Sequence, residues 1–90
     1  MKITIGKEGL TKTWQDDFPE TTECVHCEGK SRIGFVAHEA IEENVSSEGY
    51  VCSLHNNDPD GEGYWAHDCA SFATYICKEC CEATTLWNQA

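Results

Sequence analysis

The sequence predicts a small, mainly β domain pinned by a metal ion. Three observations carry that expectation. Ninety residues is short for a self-sufficient core, seven cysteines include two C-x-x-C pairs, and apolar residues recur at a period of two. Residues 1–90 are read as a single metal-stabilised domain, with no internal repeat of solenoid length.

Along the chain, Ile3 and Ile5 alternate with Lys2 and Thr4, which reads as a short strand over 2–5. Gly6 and Gly9 bracket a turn, and Thr11 to Trp14 is expected to return from it as a strand. The stretch 16–23 holds four acids and Pro19 and reads as a loop. Ile33, Phe35 and Ala37 alternate with Arg32, Gly34 and Val36, which predicts a strand with the first three on one face. The stretch 39–46 is acidic and weakly patterned, a short helix or a connection. Tyr50, Cys52 and Leu54 alternate again as a strand, and 55–63 is dense in Asn, Asp, Pro and Gly, as a hairpin loop would be. Phe72 to Ile76 leads into the second cysteine pair and Thr84 to Trp87 leaves it. Both flanks are rich in β-branched and aromatic residues, which fit a pleated surface. Only 39–46 and 68–74 have any helical character. Trp65, Trp87, Tyr50, Tyr64, Tyr75, Phe35 and Phe72 are the expected core, because each ring buries a large area.

Charge narrows the partners. Sixteen acidic residues against six basic ones give a net charge of -10. A nucleic-acid binder needs a basic stripe to displace counterions from phosphates, and an anionic membrane makes the same demand. Neither is expected here; a protein partner, basic or uncharged, is. The first residues lack the continuous apolar run of a secretory signal, and no stretch approaches transmembrane length. An odd cysteine count suits a reducing compartment better than a secreted disulfide framework, so the expected location is the cytoplasm.

The chemistry lies in Cys24-Val25-His26-Cys27 and Cys77-Lys78-Glu79-Cys80. A two-residue gap lets both sulfurs of a pair point into one space from a tight turn. Backbone N–H groups of the turn can then donate to the sulfurs. Two such turns supply four thiolates, the donor set and number that tetrahedral zinc takes, at about 2.3 Å per bond. Cys24, Cys27, Cys77 and Cys80 are therefore the expected ligands of one Zn2+ per chain, with iron the alternative. A closed shell of four thiolates leaves no position for water or substrate, so the site is expected to be structural. Residues 28–76 would form an insertion that returns to the metal, which costs little because loop-closure entropy grows slowly with length.

Paired C-x-x-C knuckles flanked by β-strands resemble the zinc-ribbon and rubredoxin-like superfamily. The resemblance implies a zinc-ribbon-like domain, here with a β-rich insertion between the knuckles. It also implies zinc as a fold anchor or iron for electron transfer, with many members serving in binding. In that group a glycine often follows each knuckle directly, where it tolerates positive φ. Here Glu28 and Cys81 stand in those places.

Other residues carry weaker signals. Cys52, His55, His67 and Cys69 could make a second site of two sulfurs and two nitrogens, although Cys52 lies in phase with Tyr50 and Leu54 as a core residue would. Cys81 adjoins Cys80 and reads as a spare thiol. His26, inside the first knuckle, reads as a spectator. Asn56, Asp58, Asp60 and Gly61 begin like a calcium loop, but His67 stands where a bidentate Glu is required. No Ser–His–Asp set, phosphate loop or nucleotide fingerprint is present. The expected function is a non-enzymatic, zinc-stabilised protein-binding or adaptor module. The alternatives are a rubredoxin-like iron electron carrier and a thiol-based redox or metal sensor that uses Cys52, Cys69 and Cys81.

Overall fold

The structure, a computed structural model, describes residues 1–39, 41 and 69–90. These residues build one antiparallel sheet. Its strands are β1 (Lys2–Ile5), β2 (Thr21–Glu23), β3 (Lys30–His38), β4 (Ala70–Cys77) and β5 (Ala83–Gln89). The order across the sheet is β1-β3-β4-β5. β2 lies against β3 on the same side as β1, one strand beyond the end of the other: β1 pairs with residues 35–38 and β2 with residues 30–32. The mainly β class expected from the alternation is therefore what the chain adopts.

The long ladder between β3 and β4 runs from Ser31 opposite Cys77 to His38 opposite Ser71. One irregularity interrupts it, between Ile33 and Phe35. The extra residue is Gly34, where an added Cβ would stand 3.2 Å from the Thr74 carbonyl oxygen. A bulge shifts the alternation by one residue. Ile33 thus faces the same side as Val36, while Phe35 and Ala37 face the other. The expectation that Ile33, Phe35 and Ala37 share a face is overturned for this reason.

The core lies on the Val36 side. Phe18, Val36, Ala73 and Tyr75 form its buried cluster, with Leu10, Ile33 and Leu86 packed around it. It is covered by a 3-10 helix, Gly6–Thr11, and by the segment that follows. Residues 11–14 therefore do not return as a strand: the helix ends at Thr11, and the Lys12 N–H closes onto the Gly9 carbonyl at 2.9 Å. The helix can lie close because Gly9 has no side chain. A Cβ there would sit 2.8 Å from Val36 Cγ2. Phe18 is tied in by its N–H to the Leu10 carbonyl at 3.0 Å. The Tyr75 hydroxyl donates to the Pro19 carbonyl, and burial pushes its pKa above the usual phenol value.

Other expectations are corrected. The end of the predicted 16–23 loop, Thr21–Glu23, pairs as β2. Residues 70–74 are strand, not helix, because β4 is held on both sides. Among the expected core aromatics Tyr75 is fully buried, but Phe35 and Phe72 are partly buried and Trp87 is half exposed. Tyr50, Tyr64 and Trp65, the strand at 50–54, the loop at 55–63 and most of 39–46 lie outside the described residues.

Where β3 and β4 part, the chain is clamped by polar groups. The Glu39 N–H donates to the Ala70 carbonyl, and the Glu39 carboxylate accepts from the Ala70 N–H, both at 2.9 Å. The Trp14 indole N–H donates to the Glu39 carbonyl at 3.1 Å, and the Trp14 backbone N–H to Asn88 Oδ1 at 3.1 Å. His38 and Glu39 are completely buried, and the His38 ring meets the Thr4 hydroxyl at 3.1 Å through Nε2.

Tyr75 separates packing from hydrogen bonding. Tyr75→Phe keeps the ring and loses the bond to Pro19, which is expected to cost about 1 kcal/mol. Tyr75→Ala also opens a cavity and should cost about 3–5 kcal/mol. Urea unfolding of the metal-loaded protein measures both.

Candidate metal centre

The two knuckles sit at one end of the sheet, each on the strand end that the ladders fix. The first leaves β2 and enters β3. The second joins β4 to β5. Because Ser31 pairs with Cys77, and the Lys78 N–H donates to the Lys30 carbonyl at 3.2 Å, the two turns are held side by side.

Bond for bond, the turns are equivalent. The Glu28 N–H donates to the Cys24 carbonyl at 3.0 Å, as the Cys81 N–H does to the Cys77 carbonyl at 3.1 Å. The Cys24 N–H donates to the Gly29 carbonyl at 2.8 Å, as the Cys77 N–H does to the Glu82 carbonyl at 3.0 Å. His26 and Glu79 each point their N–H at the sulfur two residues back, at 3.4 Å. The residues after the knuckles, Glu28 and Cys81, adopt φ of 65° and 61°. The knuckle geometry is therefore kept in full without the glycine that would adopt it most readily, at a cost of order 1 kcal/mol or more per position.

The turns bring together the four cysteines singled out by spacing. The sulfurs of Cys24, Cys27, Cys77 and Cys80 all lie within 4.8 Å of one another. Across the two turns, Cys24 Sγ is 3.7 Å from Cys80 Sγ, and Cys27 Sγ is 3.5 Å from Cys77 Sγ. Both distances far exceed a disulfide bond. A regular tetrahedron with bonds of 2.3 Å has sulfurs about 3.8 Å apart. The donor set and its spacing thus fit a tetrahedral metal ion, and these four residues could hold one.

The charge distribution within the cluster is uneven. Cys24 and Cys77 are buried, whereas Cys27 and Cys80 reach the surface. The N–H groups of Cys80 and Glu79 draw the Cys77 thiol down to about 6, and those of Cys27 and His26 hold Cys24 below its ordinary value despite burial. Cys27 is raised: the Gly29 N–H pulls it down, but the Cys77 sulfur and burial outweigh that pull. Cys80 is pushed up to about 12, where the Glu82 N–H is outweighed by burial and by the sulfurs of Cys27, Cys24 and Cys77. Four sulfurs this close cannot all carry charge alone. A cation among them removes the obstacle.

Cys81 lies outside the cluster and is exposed, as a spare thiol would be. His26 is also exposed, turned toward Glu82 at 4.0 Å, and is no ligand. Of the suggested second site, Cys69 is partly buried, with its carbonyl accepting from the Ala90 N–H at 2.9 Å. Cys52, His55 and His67 lie outside the described residues, as does the calcium-like loop. Sequence reasoning missed buried His38 and Glu39. The acidic run after them gives no signal that its first member turns inward.

No family model, curated protein or solved structure matches the chain. The zinc-ribbon likeness therefore rests on the cysteine cluster and its turns. Among the described residues no helix is long and apolar enough to cross a membrane.

The positive φ values give a direct test. Cys81→Gly and Glu28→Gly should leave metal stoichiometry unchanged and stabilise the protein by up to about 1 kcal/mol each. Loss of metal from Cys81→Gly would make Cys81 a ligand.

Proposed function

We propose that Cys24, Cys27, Cys77 and Cys80 bind one zinc ion as a structural centre, and that the chain is a small protein-binding or adaptor module without enzymatic activity. The observation that carries this reading is the pair of equivalent turns that set four sulfurs at tetrahedral spacing. A shell closed by four thiolates has no vacancy for a reacting water, which supports a structural role over a catalytic one. The thin core supports it as well, because one sheet covered by a short helix and a loop gains much from an added tie. Structural zinc sites contribute on the order of 10 kcal/mol or more to folding.

One observation favours a second reading. Cys27 and Cys80 lie at the surface, which would give electrons a short path to a bound iron. The same thiolates suit either metal by geometry. Elemental analysis of protein purified without added metal decides between them. One zinc per colourless chain is the expected result. One iron per chain, with visible charge-transfer absorption, would establish the carrier instead.

The structural role makes two further demands. Cys24→Ser and Cys77→Ser should each reduce metal content well below one ion per chain. Full chelation should abolish the β signal in far-ultraviolet circular dichroism, since metal binding and folding are linked. A spectrum unchanged by chelation contradicts a structural centre.

A further inference from the structure

Among the described residues, acids are scarce in the sheet: Glu23, at the end of β2, is the one that stands in a strand. No Asp or Glu stands in β1, β3, β4 or β5, although the chain contains sixteen. Among the described residues, the face opposite the core carries exposed apolar side chains. Pairing aligns Ile3, Ala37, Phe72 and Trp87 in one row across β1, β3, β4 and β5, and Ile5, Phe35, Thr74 and Thr85 in the next. Ile5 is 79% exposed, Ile3 60% and Trp87 50%, and the Phe72 and Trp87 rings stack at 6.0 Å. Apolar groups set side by side in water, with no carboxylate among them, are the composition of a surface that gives up its hydration on contact. A solvated sheet face in so acidic a chain would carry its share of acids, whereas here the pairing places Glu23, opposite Lys30, beyond the apolar rows.

The basic residues follow the opposite pattern. Three of the six, Lys7, Lys30 and Arg32, line a groove of roughly 360 Å3 beside this face, where β1 ends and β2 begins. The groove holds one acid, Glu20, which pairs with Lys7 at 2.9 Å. Arg32 pairs with Ile76 across the ladder and so shares the open face with the apolar rows. It is exposed and makes no ion pair among the described residues.

From these two observations we propose that the open sheet face and the adjoining groove dock a segment of a partner protein that joins apolar side chains to a carboxylate. The apolar side chains lie over Ile3, Ile5, Phe72 and Trp87, and the carboxylate is taken by Arg32. The proposal rests on the binding-module reading and names the surface and the partner's chemistry. A second copy of the chain does not suit the face, because the acids beside Arg32 already lie next to cations of their own copy, Glu20 paired with Lys7 and Glu23 opposite Lys30. Each copy would also bring ten more negative charges. The same net charge opposes an anionic bilayer.

Random peptides displayed on phage and selected on the metal-loaded protein test this, with affinities then measured by fluorescence anisotropy. Selected peptides should combine apolar residues with Asp or Glu. Trp87→Lys and Ile5→Lys should each weaken binding about tenfold or more, as loss of a buried anchor does. Arg32→Glu should weaken it comparably, and fresh selection on that variant should replace the acids with Lys or Arg. All three positions are exposed, and circular dichroism checks that each variant folds. Failure to select any peptide overturns the proposal, as do acid-free peptides or affinities untouched by these substitutions. A dimer in sedimentation that Trp87→Lys dissolves would assign the face to a second copy, and Trp87-dependent binding to anionic vesicles would assign it to a membrane; either overturns it too. Metal content measured on the same samples reports on the zinc centre separately, so each reading can fail without the other.

Discussion

The meeting of two turns at one end of a sheet is the constraint on which the rest depends. Each turn aims backbone N–H groups at its own sulfurs, and each tolerates a strained residue just after its second cysteine. Neither is worth forming alone. Together they set four sulfurs within 4.8 Å of one another, whose mutual repulsion a cation would relieve. The ladder between β3 and β4 delivers them to that point, where a bound cation would tie the two turns together. The strain at Glu28 and Cys81 is borne where the paired strands end.

Much of this was legible in the residues. The C-x-x-C spacing has one economical explanation, and the four cysteines it selects do converge. The alternation at Lys2–Ile5 and the β-branched run before Cys77 each became a strand. What escaped the sequence has physical causes. A period-two pattern gives the face of every residue only while the ladder is regular, and Gly34 breaks it. The 3-10 helix over Gly6–Thr11 has no periodic signature, since its stability comes from Gly9 lying against Val36. Phe18, isolated in an acidic loop, gives no local hint that it anchors the core. Trp87 reads as core by its size, and only the pairing shows that it faces outward.

The division of charge follows from the same architecture. The sheet is the part of the molecule with two faces to fill, and among the described residues β2 is the one strand that carries an acid. One face is filled by the helix and loop. The other keeps its aromatic and aliphatic groups at the surface, next to half of the basic residues in the chain. A molecule that is strongly anionic as a whole thus presents one surface of different character, set at a fixed distance from the sulfur cluster by continuous strands.

The reciprocal clamp between Glu39 and Ala70 has a consequence for how the chain tolerates change. It ties the far ends of β3 and β4 with two hydrogen bonds of 2.9 Å. The strand separation is therefore settled before the intervening chain departs and after it returns. Insertions or deletions between the two clamped residues would then be felt only weakly at the cysteines, because lengthening a segment whose ends are already joined changes its closure entropy slowly. One end of the sheet is free to diversify while the other is held to a fixed geometry.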